Sequence, residues 1–496
     1  WYQRRVRGPA NEQLMLGRDC IAIVNFGGQD YYVFATKKSQ VAENSPFDVF
    51  QCLQVQVHCY KPLMWVVRRL KKHFQMDGIY FSADPRIASS KYSPFRGQQE
   101  AVVQLQLDQL RAQKSGKENN CEGSENHNLD LLWSKGNQYC VQGALSELVW
   151  QRRFPGNQGK RFLSRGCNSK GQAANHLLTQ VSQMPQQVLR GQLPVCFCQP
   201  PNMRAKPKFR ILEENPLGKY LKLVEKLAPQ LLFVNLVDNK GGEKRLTAKL
   251  LQNFEQTQKV QQRFCVVNGA FVQTTSNEFE QGLVLVGEAH SLLCLDYHST
   301  ISRDPEYAQK VLRSVLTQFP GHTLRVNCVD SLDRTNSFVL MYYQFLDQFS
   351  GNFQMDLQQL KKDFVKTGNT ISKQYASSEA MKQDFTLHGK RTGGGKLKDL
   401  GIWFRRLYKN NASDGFEMDG YRLVQKEFRV VLQRQFHGWW FFAAVFVVVV
   451  AAEIAAGRFE FGGKLGVMWA VPFAGLLLFL AVLFGFGEQF ASKGRL

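Results

Sequence analysis

Twice in 496 residues a cysteine stands six positions ahead of an arginine: Cys328 with Arg334, and Cys198 with Arg204. Five residues between thiol and guanidinium is the spacing of a loop that can wrap one phosphoryl group. The thiolate attacks phosphorus while backbone N–H groups and the Arg fork hold the remaining oxygens. Spacing makes a cradle only where the backbone can curl. Pro200 and Pro201 remove two N–H groups from the Cys198 loop and resist the curl, and AKPKF after Arg204 starts no helix. That second match is read as chance.

Around Cys328 the chain reads TLRVNCVDSLDRTNSFVLMYYQFLDQF from Thr323. A β-capable run, Leu324 to Asn327, leads into the cysteine, and a hydrophobic helical stretch begins near Thr335. A helix starting where the loop ends directs its positive end at a bound phosphate and lowers the cysteine pKa. Val329, Ser331 and Leu332 supply backbone to the cradle. The Thr335 hydroxyl is placed to hydrogen-bond the thiolate as it leaves, and Asn327 and Asn336 to pin the loop edges. Asp330 and Asp333 are unwelcome beside a dianion unless one is protonated, and a proton near the scissile oxygen is what leaving-group departure requires. Asp330 is the first choice for that acid, with Asp333 orienting Arg334; the exchanged assignment is the alternative. Thiolate, Arg and acid cover attack, charge and leaving group, so no cofactor and no metal is expected, and the other Cys and His residues form no compact ligand set.

Such a loop needs a strand before it and a helix after it. Short apolar or alternating runs at Cys20–Phe26, Tyr31–Lys37 and Val49–Tyr60 predict strands. Further runs at Leu231–Val237, Phe264–Val267, Leu283–Val286 and Leu292–Leu295 alternate with amphipathic stretches from Arg245 (RLTAKLLQNFEQTQKVQQRF) and Glu306 (EYAQKVLRSVLTQF). Strands alternating with helices favour an α/β layer. Residues 111–128, RAQKSGKENNCEGSENHN, have almost nothing to bury and mark the best internal boundary. The expected fold is an α/β phosphatase domain with a mainly β N-terminal subdomain (1–130), a catalytic α/β subdomain (131–430) and a C-terminal transmembrane helical hairpin (431–496).

The hairpin expectation rests on residues 439–457, with one charge, and 465–487, with none. As helices they span about 28 and 34 Å against a hydrocarbon core of about 30 Å. Seven residues separate them, and Arg422, Lys426, Arg429, Arg434, Lys493 and Arg495 flank them, so both ends are expected in the cytosol. No signal peptide opens the chain, and with Trp1 in place of Met, further residues are expected before it.

The 63 Lys and Arg against 41 Asp and Glu leave a net charge of +22, which calls for an anionic partner. Eleven scattered Cys exclude a disulfide scaffold, and 44% hydrophobic residues exclude disorder as the main state. Basic clusters such as RRLKK at Arg68–Lys72 and KRTGGGKLK at Lys390–Lys398 fit an anionic membrane surface. GKRTGGGK lacks the order of a nucleotide-binding loop, and no zinc spacing, helix-turn-helix or aromatic RNA-recognition motif is present, so nucleic acid is not an expected partner.

The string RVNCVDSLDRTN, Arg325 to Asn336, resembles the active-site motif of Sac-domain phosphoinositide phosphatases. RGCNSKGQAAN from Arg165, NLVDNKGGEK from Asn235, LDYHS from Leu295 and the region around KQYASSEA from Lys373 resemble other blocks of that family in the same order. With the apolar tail, the chain resembles the membrane-anchored branch of endoplasmic reticulum and Golgi. The resemblance implies Cys328 as nucleophile, Arg334 as phosphate-binding residue and acidic positions at Asp330 and Asp333. It implies a phosphoinositide substrate, phosphatidylinositol 4-phosphate first, with the 3-phosphate and 3,5-bisphosphate lipids next. Some positions depart from the family pattern. Ser331 stands where a second Cys is usual, Asn168 replaces an acidic residue, the acidic residues expected after Asn175 are absent from HLLTQ, and Ala376 and Ser377 stand for glycines. Those losses motivate an alternative, a catalytically silent phosphoinositide-binding tether; a protein tyrosine phosphatase is the other.

Overall fold

The computed structural model describes residues 19–41, 49–60, 62–82, 139–202, 207–267, 270–275, 282–302, 304–350 and 355–425. The first elements are β1 (Asp19–Phe26), β2 (Gln29–Gln40), β3 (Phe50–His58), α1 (Met64–Phe74), β4 (Ile79–Ser82), β5 (Tyr139–Leu145), β6 (Val149–Arg153), β7 (Leu177–Val181) and β8 (Val188–Gly191). The short β9 (Phe197–Cys198) and β10 (Arg210–Ile211) pair with each other, and α2 (Leu217–Val224) follows. Next come β11 (Leu231–Asn235), α3 (Gly241–Thr257), β12 (Val260–Val267), β13 (Ala270–Gln273), β14 (Leu283–Gly287), β15 (Ser291–Cys294), a π-helical turn (Tyr297–Ile301) and α4 (Pro305–Gln318). The chain continues with β16 (Thr323–Asn327), α5 (Asp333–Ser350), α6 (Leu357–Ala376), α7 (Gln383–His388), α8 (Gly393–Tyr408), a second π turn (Lys409–Ser413) and α9 (Asp414–Gln425).

Fourteen of these strands form one sheet in the order β1-β2-β3-β4-β5-β6-β7-β8-β16-β11-β15-β14-β12-β13. It is antiparallel from β1 to β8, parallel across β8, β16, β11 and β15, and antiparallel again to β13. Parallel strands are covered on both faces and need apolar residues on both. β11 shows this: Leu231 and Phe233 face a core with Tyr220 of α2 and Leu246, Leu250 and Phe254 of α3, whereas Leu232 and Val234 face a second core with Val311 of α4 and Phe338 of α5. The alternation is the period-2 geometry of a strand. β16 lies at the centre of this covered region, and a ligand site in such a sheet falls beyond the carboxyl ends of its parallel strands.

A third core joins β1–β4 and α1 to the last described helix, through Val66, Leu70 and Phe74 with Leu423 and Val424 of α9. Arg69 Nε and Asp419 Oδ2, both buried, meet there at 3.2 Å. The eight expected strands are present. The helix expected from Arg245 to Phe264 instead begins at Gly241 and ends at Thr257, because Gln258 turns to extended backbone and Val260–Val267 joins the sheet against β14. The loop at 111–128, the boundaries at 130 and 431, and both apolar segments lie outside the described residues. Among the described residues no helix is long and apolar enough to cross a membrane.

Candidate active site

Strand β16 ends at Asn327, whose side chain is tied to β11 by Nδ2 donating to Asn235 Oδ1 at 2.7 Å. Asn235 in turn donates to Thr247 Oγ1 of α3. Cys328 follows as a buried free thiol, and α5 begins at Asp333. Strand, thiol loop and helix N-terminus therefore stand in series as expected.

The loop is shaped from outside. Arg165 Nη1 donates to the Val329 carbonyl, and Asn175 Nδ2 to those of Asp330 and Ser331. Arg190 Nη2 donates to the carbonyls of Ser331 and Leu332, and the Asn336 amide donates to Leu332 as well. In a trans peptide the carbonyl of one residue and the N–H of the next point in opposite directions. Holding the carbonyls of 329–332 outward therefore turns the N–H groups of 330–333 inward, the orientation a phosphate cradle requires. The curl places Ser331 at φ +52°, a left-handed conformation that costs a non-glycine residue about 1 kcal/mol. The Asn336 side chain accepts from Arg190 Nη1 at 2.8 Å and from Gln151, and donates to the Phe364 carbonyl of α6. The Thr335 hydroxyl is buried and has no hydrogen-bond partner among the described residues.

The two loop carboxylates have opposite surroundings. Asp330 is clasped by Arg161, 2.7 Å away, and by Arg165, so that although burial raises its pKa these two cations hold it well below the usual carboxylate range. Asp333 has its pKa raised, chiefly by burial with Asp330 adding to it, against the opposing pull of Arg406 and the Met381 amide. A carboxyl locked between two guanidiniums is held as an ion, whereas the Asp333 pKa is moved in the direction a proton donor needs, so these surroundings favour the exchanged assignment of the two carboxyls.

Nor does Asp333 orient Arg334. That guanidinium meets Glu243 of α3 through both prongs, Nη1 to Oε2 at 2.8 Å and Nη2 to Oε1 at 3.2 Å, and lies 3.3 Å from Asp238. Burial alone would lower its pKa; the neighbouring Cys328, Glu243 and Asp238 outweigh that and keep it charged. Asp238 also accepts from His298 Nδ1 at 2.8 Å, and Lys382 Nζ lies 3.1 Å from His298 Nε2.

Arg161, Arg165, Asn175, Arg190, Asp238, Glu243 and Arg406 are neighbours of the loop and of Arg334 that motif reading did not single out. Arg165 and Asn175 open and close the RGCNSKGQAAN block, and Asp238 and Glu243 lie in NLVDNKGGEK, so their signal was present. Arg190 had only the oddity of a cation inside the apolar strand β8. Of the chance match, Cys198 lies in the short strand β9, and Arg204 is outside the described residues. GKRTGGGK is a helix start rather than a ligand loop: the Thr392 hydroxyl caps Gly395 N–H, and Asp384 accepts from the Thr392 amide.

Comparison with known proteins gives a match to the SacI homology domain over residues 19–280. Phosphatidylinositol-3-phosphatase SAC1-A of Danio rerio is 28% identical over 323 residues, covering 59% of this chain and 52% of that one. Phosphoinositide phosphatase SAC7 of Arabidopsis thaliana is 28% identical over 309 residues, 57% of this chain and 50% of its own. The chain thus spans about half the length of the curated relatives it matches. A protein tyrosine phosphatase of Trypanosoma brucei, TbPTP1, overlays 51% of this chain and 85% of its own at 12% identity, with a TM-score of 0.25 too low to carry an argument.

Proposed function

The chain belongs to the SacI homology domain family, and on that premise we propose that it is a phosphoinositide phosphatase working through a phosphocysteine intermediate. The observation that carries this reading is the 328–332 loop with its carbonyls held outward by Arg165, Asn175 and Arg190, ahead of a helix N-terminus. Cys328 Sγ attacks phosphorus, the bond from phosphorus to the inositol oxygen breaks, and Asp333 gives that oxygen its proton. The substrate oxygens compete with Glu243 and Asp238 for the Arg334 fork. Water then attacks the phosphocysteine, Asp333 takes its proton, and the thiolate and inorganic phosphate are released. Asp330 keeps its charge throughout and fixes the loop to Arg161 and Arg165.

Phosphatidylinositol 4-phosphate is the substrate proposed from the motif resemblance, and the name of the Danio rerio relative puts the 3-phosphate beside it. The apolar segments 439–457 and 465–487 are proposed as an anchor in endoplasmic reticulum or Golgi membrane, with the catalytic part cytosolic. The test is phosphate release by the full chain in detergent from a panel of short-chain phosphoinositides and a phosphotyrosine peptide. Release from an inositol lipid over the peptide is expected. Preference for the peptide would reassign the enzyme, and retention on phosphoinositide vesicles without turnover at any pH would make the protein a tether.

A further inference from the structure

Helix α8 carries its side chains the wrong way round for a helix on a water-facing surface. Its inward stripe is Asp399, Ile402 and Arg406, all buried, and two of the three are charged. Asp399 accepts from the Lys382 amide and from Arg391 Nη2, at 3.1 and 2.7 Å. Arg406 donates to Ser378 Oγ, Ser372 Oγ and the Glu379 carbonyl, and its Nη1 lies 3.9 Å from Asp333. The opposite stripe is Leu397, Leu400, Phe404 and Tyr408, which are 73%, 51%, 57% and 60% exposed. Spacings of three and four put these four on one side at 3.6 residues per turn, with Trp403 at its margin.

An apolar stripe this exposed marks a contact surface. Lys396 borders it on one side and Arg405 on the other, both exposed, and Asp399 is the single acidic residue between 390 and 409, turned inward. Two copies meeting through this face would bring one basic rim against another. An anionic bilayer neutralises the rim and takes up the stripe, which is the pattern of a helix lying in a membrane interface. The sequence points to the same solvent: the first apolar segment begins at residue 439, only 31 positions after Tyr408.

We propose that α8 docks in the plane of an anionic bilayer, with Leu397, Leu400, Phe404 and Tyr408 among the acyl chains and Lys396 and Arg405 on lipid phosphates. Its inward polar stripe holds the 378–382 segment and, through Arg406 and Met381, the neighbourhood of Asp333, so docking turns the mouth of the Cys328 loop toward the lipid headgroups. The role in turnover rests on the phosphatase reading; the docking itself does not.

The test uses the full chain reconstituted in phosphatidylcholine vesicles containing phosphatidylserine and a lipid with a photoactivatable acyl chain. Mass spectrometry should find lipid adducts on 397–408, and Leu400→Glu combined with Phe404→Glu should abolish them. The same double variant should lose about tenfold of turnover on phosphoinositide in the bilayer, as burial of the apolar face is what positions the site, and keep its turnover on a soluble short-chain phosphoinositide. Both positions are exposed, so folding is preserved. Absence of adducts on α8 in the wild type, cross-links from α8 to α8 of a second copy instead of lipid, or an equal loss on both substrates would overturn the proposal. Adducts on α8 with no turnover of either substrate would leave docking standing and remove the phosphatase reading.

Discussion

Asp330 and Asp333 sit three positions apart in one loop, yet what faces each decides which can carry a proton. Arg161 and Arg165 close on the first, and burial beside that charge leaves the second with its pKa raised. On an inositol lipid, whose leaving oxygen is a poor one, Asp333→Asn should lower kcat by about 10²–10⁴-fold, the usual worth of a general acid. On an activated aryl phosphate the loss should be far smaller. Asp330→Asn should cost both substrates alike, since it loosens the loop and withholds no proton. Equal losses for Asp333→Asn on the two substrates would remove it from the acid role. A required protonated acid also gives wild-type kcat a falling limb as pH rises through the Asp333 pKa, and steady-state rates of Asp333→Asn should lack that limb. Cys328→Ser should abolish turnover while still binding inorganic phosphate, because the inward N–H groups of 330–333 and Arg334 remain; single-turnover trapping of phosphate on Cys328 in the wild type checks the premise. Cys328 and Arg334 were legible from spacing, since one peptide loop has one reach. Arg161 and Arg190 were not: they arrive from β-strand and loop segments more than 100 residues away, and no local pattern encodes such an approach.

The helix that closes the described chain is wired to the same loop. Lys160 Nζ, buried, meets Glu417 of α9 at 2.5 Å, and the next residue is the Arg161 that holds Asp330. Beside them Ser377, at φ +57° after the end of α6, donates its hydroxyl to Asp414 at 2.6 Å. That left-handed position is why glycine is the residue expected there, and the serine hydroxyl bond offsets part of the strain. Glu417 and Asp414 shift oppositely. Burial raises Glu417, but Lys160 and Lys72 bring it down to about 2; Asp414 is pushed up to about 6, mainly by burial. Each shift is worth roughly 3 kcal/mol. Glu417 therefore stabilises the fold above the ordinary carboxylate pKa, and that contribution is lost as pH falls toward 2. Asp414 takes up a proton on folding between about 4 and 6, so its contribution falls as pH rises through that window. Thermal unfolding followed against pH should show Asp414→Asn equal to or above wild type at pH 7 and no better at pH 4. Glu417→Gln should cost roughly 3 kcal/mol at pH 7, because the buried Lys160 loses the carboxylate that meets it at 2.5 Å, and the deficit should shrink in acid. At this scale strands were legible because alternation and apolar runs are local. The end of α3 was not, since Gln258 onward reads as amphipathic helix and joins the sheet only because β14 is there to pair with it.

Across the whole molecule one sheet runs from β1 to β13, with the thiol loop at the end of its central parallel strand and α9 returning to the N-terminal strands. The expected boundary at residue 130 follows the polar stretch 111–128; pairing of β4 with β5 puts strands from both sides of it in one sheet, a long-range contact that composition does not report. Charge was legible at this scale. The tail from 439 onward holds four basic and three acidic residues, so nearly all of the +22 belongs to the preceding part. A body with that charge, ending in two apolar segments separated by seven residues, is expected to stay on the side of the membrane where basic flanks are retained. If the segments cross as a hairpin, Arg434 and Lys493 lie on the same face, and α8 and the Cys328 loop share that face with the lipid headgroups. Sealed microsomes carrying the full chain, tagged before Trp439 and after Leu496, should lose both tags to added protease without detergent. Protection of the C-terminal tag alone would mean a single crossing and would leave the body cytosolic, whereas protection of the tag before Trp439 would put the basic body in the lumen and separate it from the cytosolic leaflet that its charge fits.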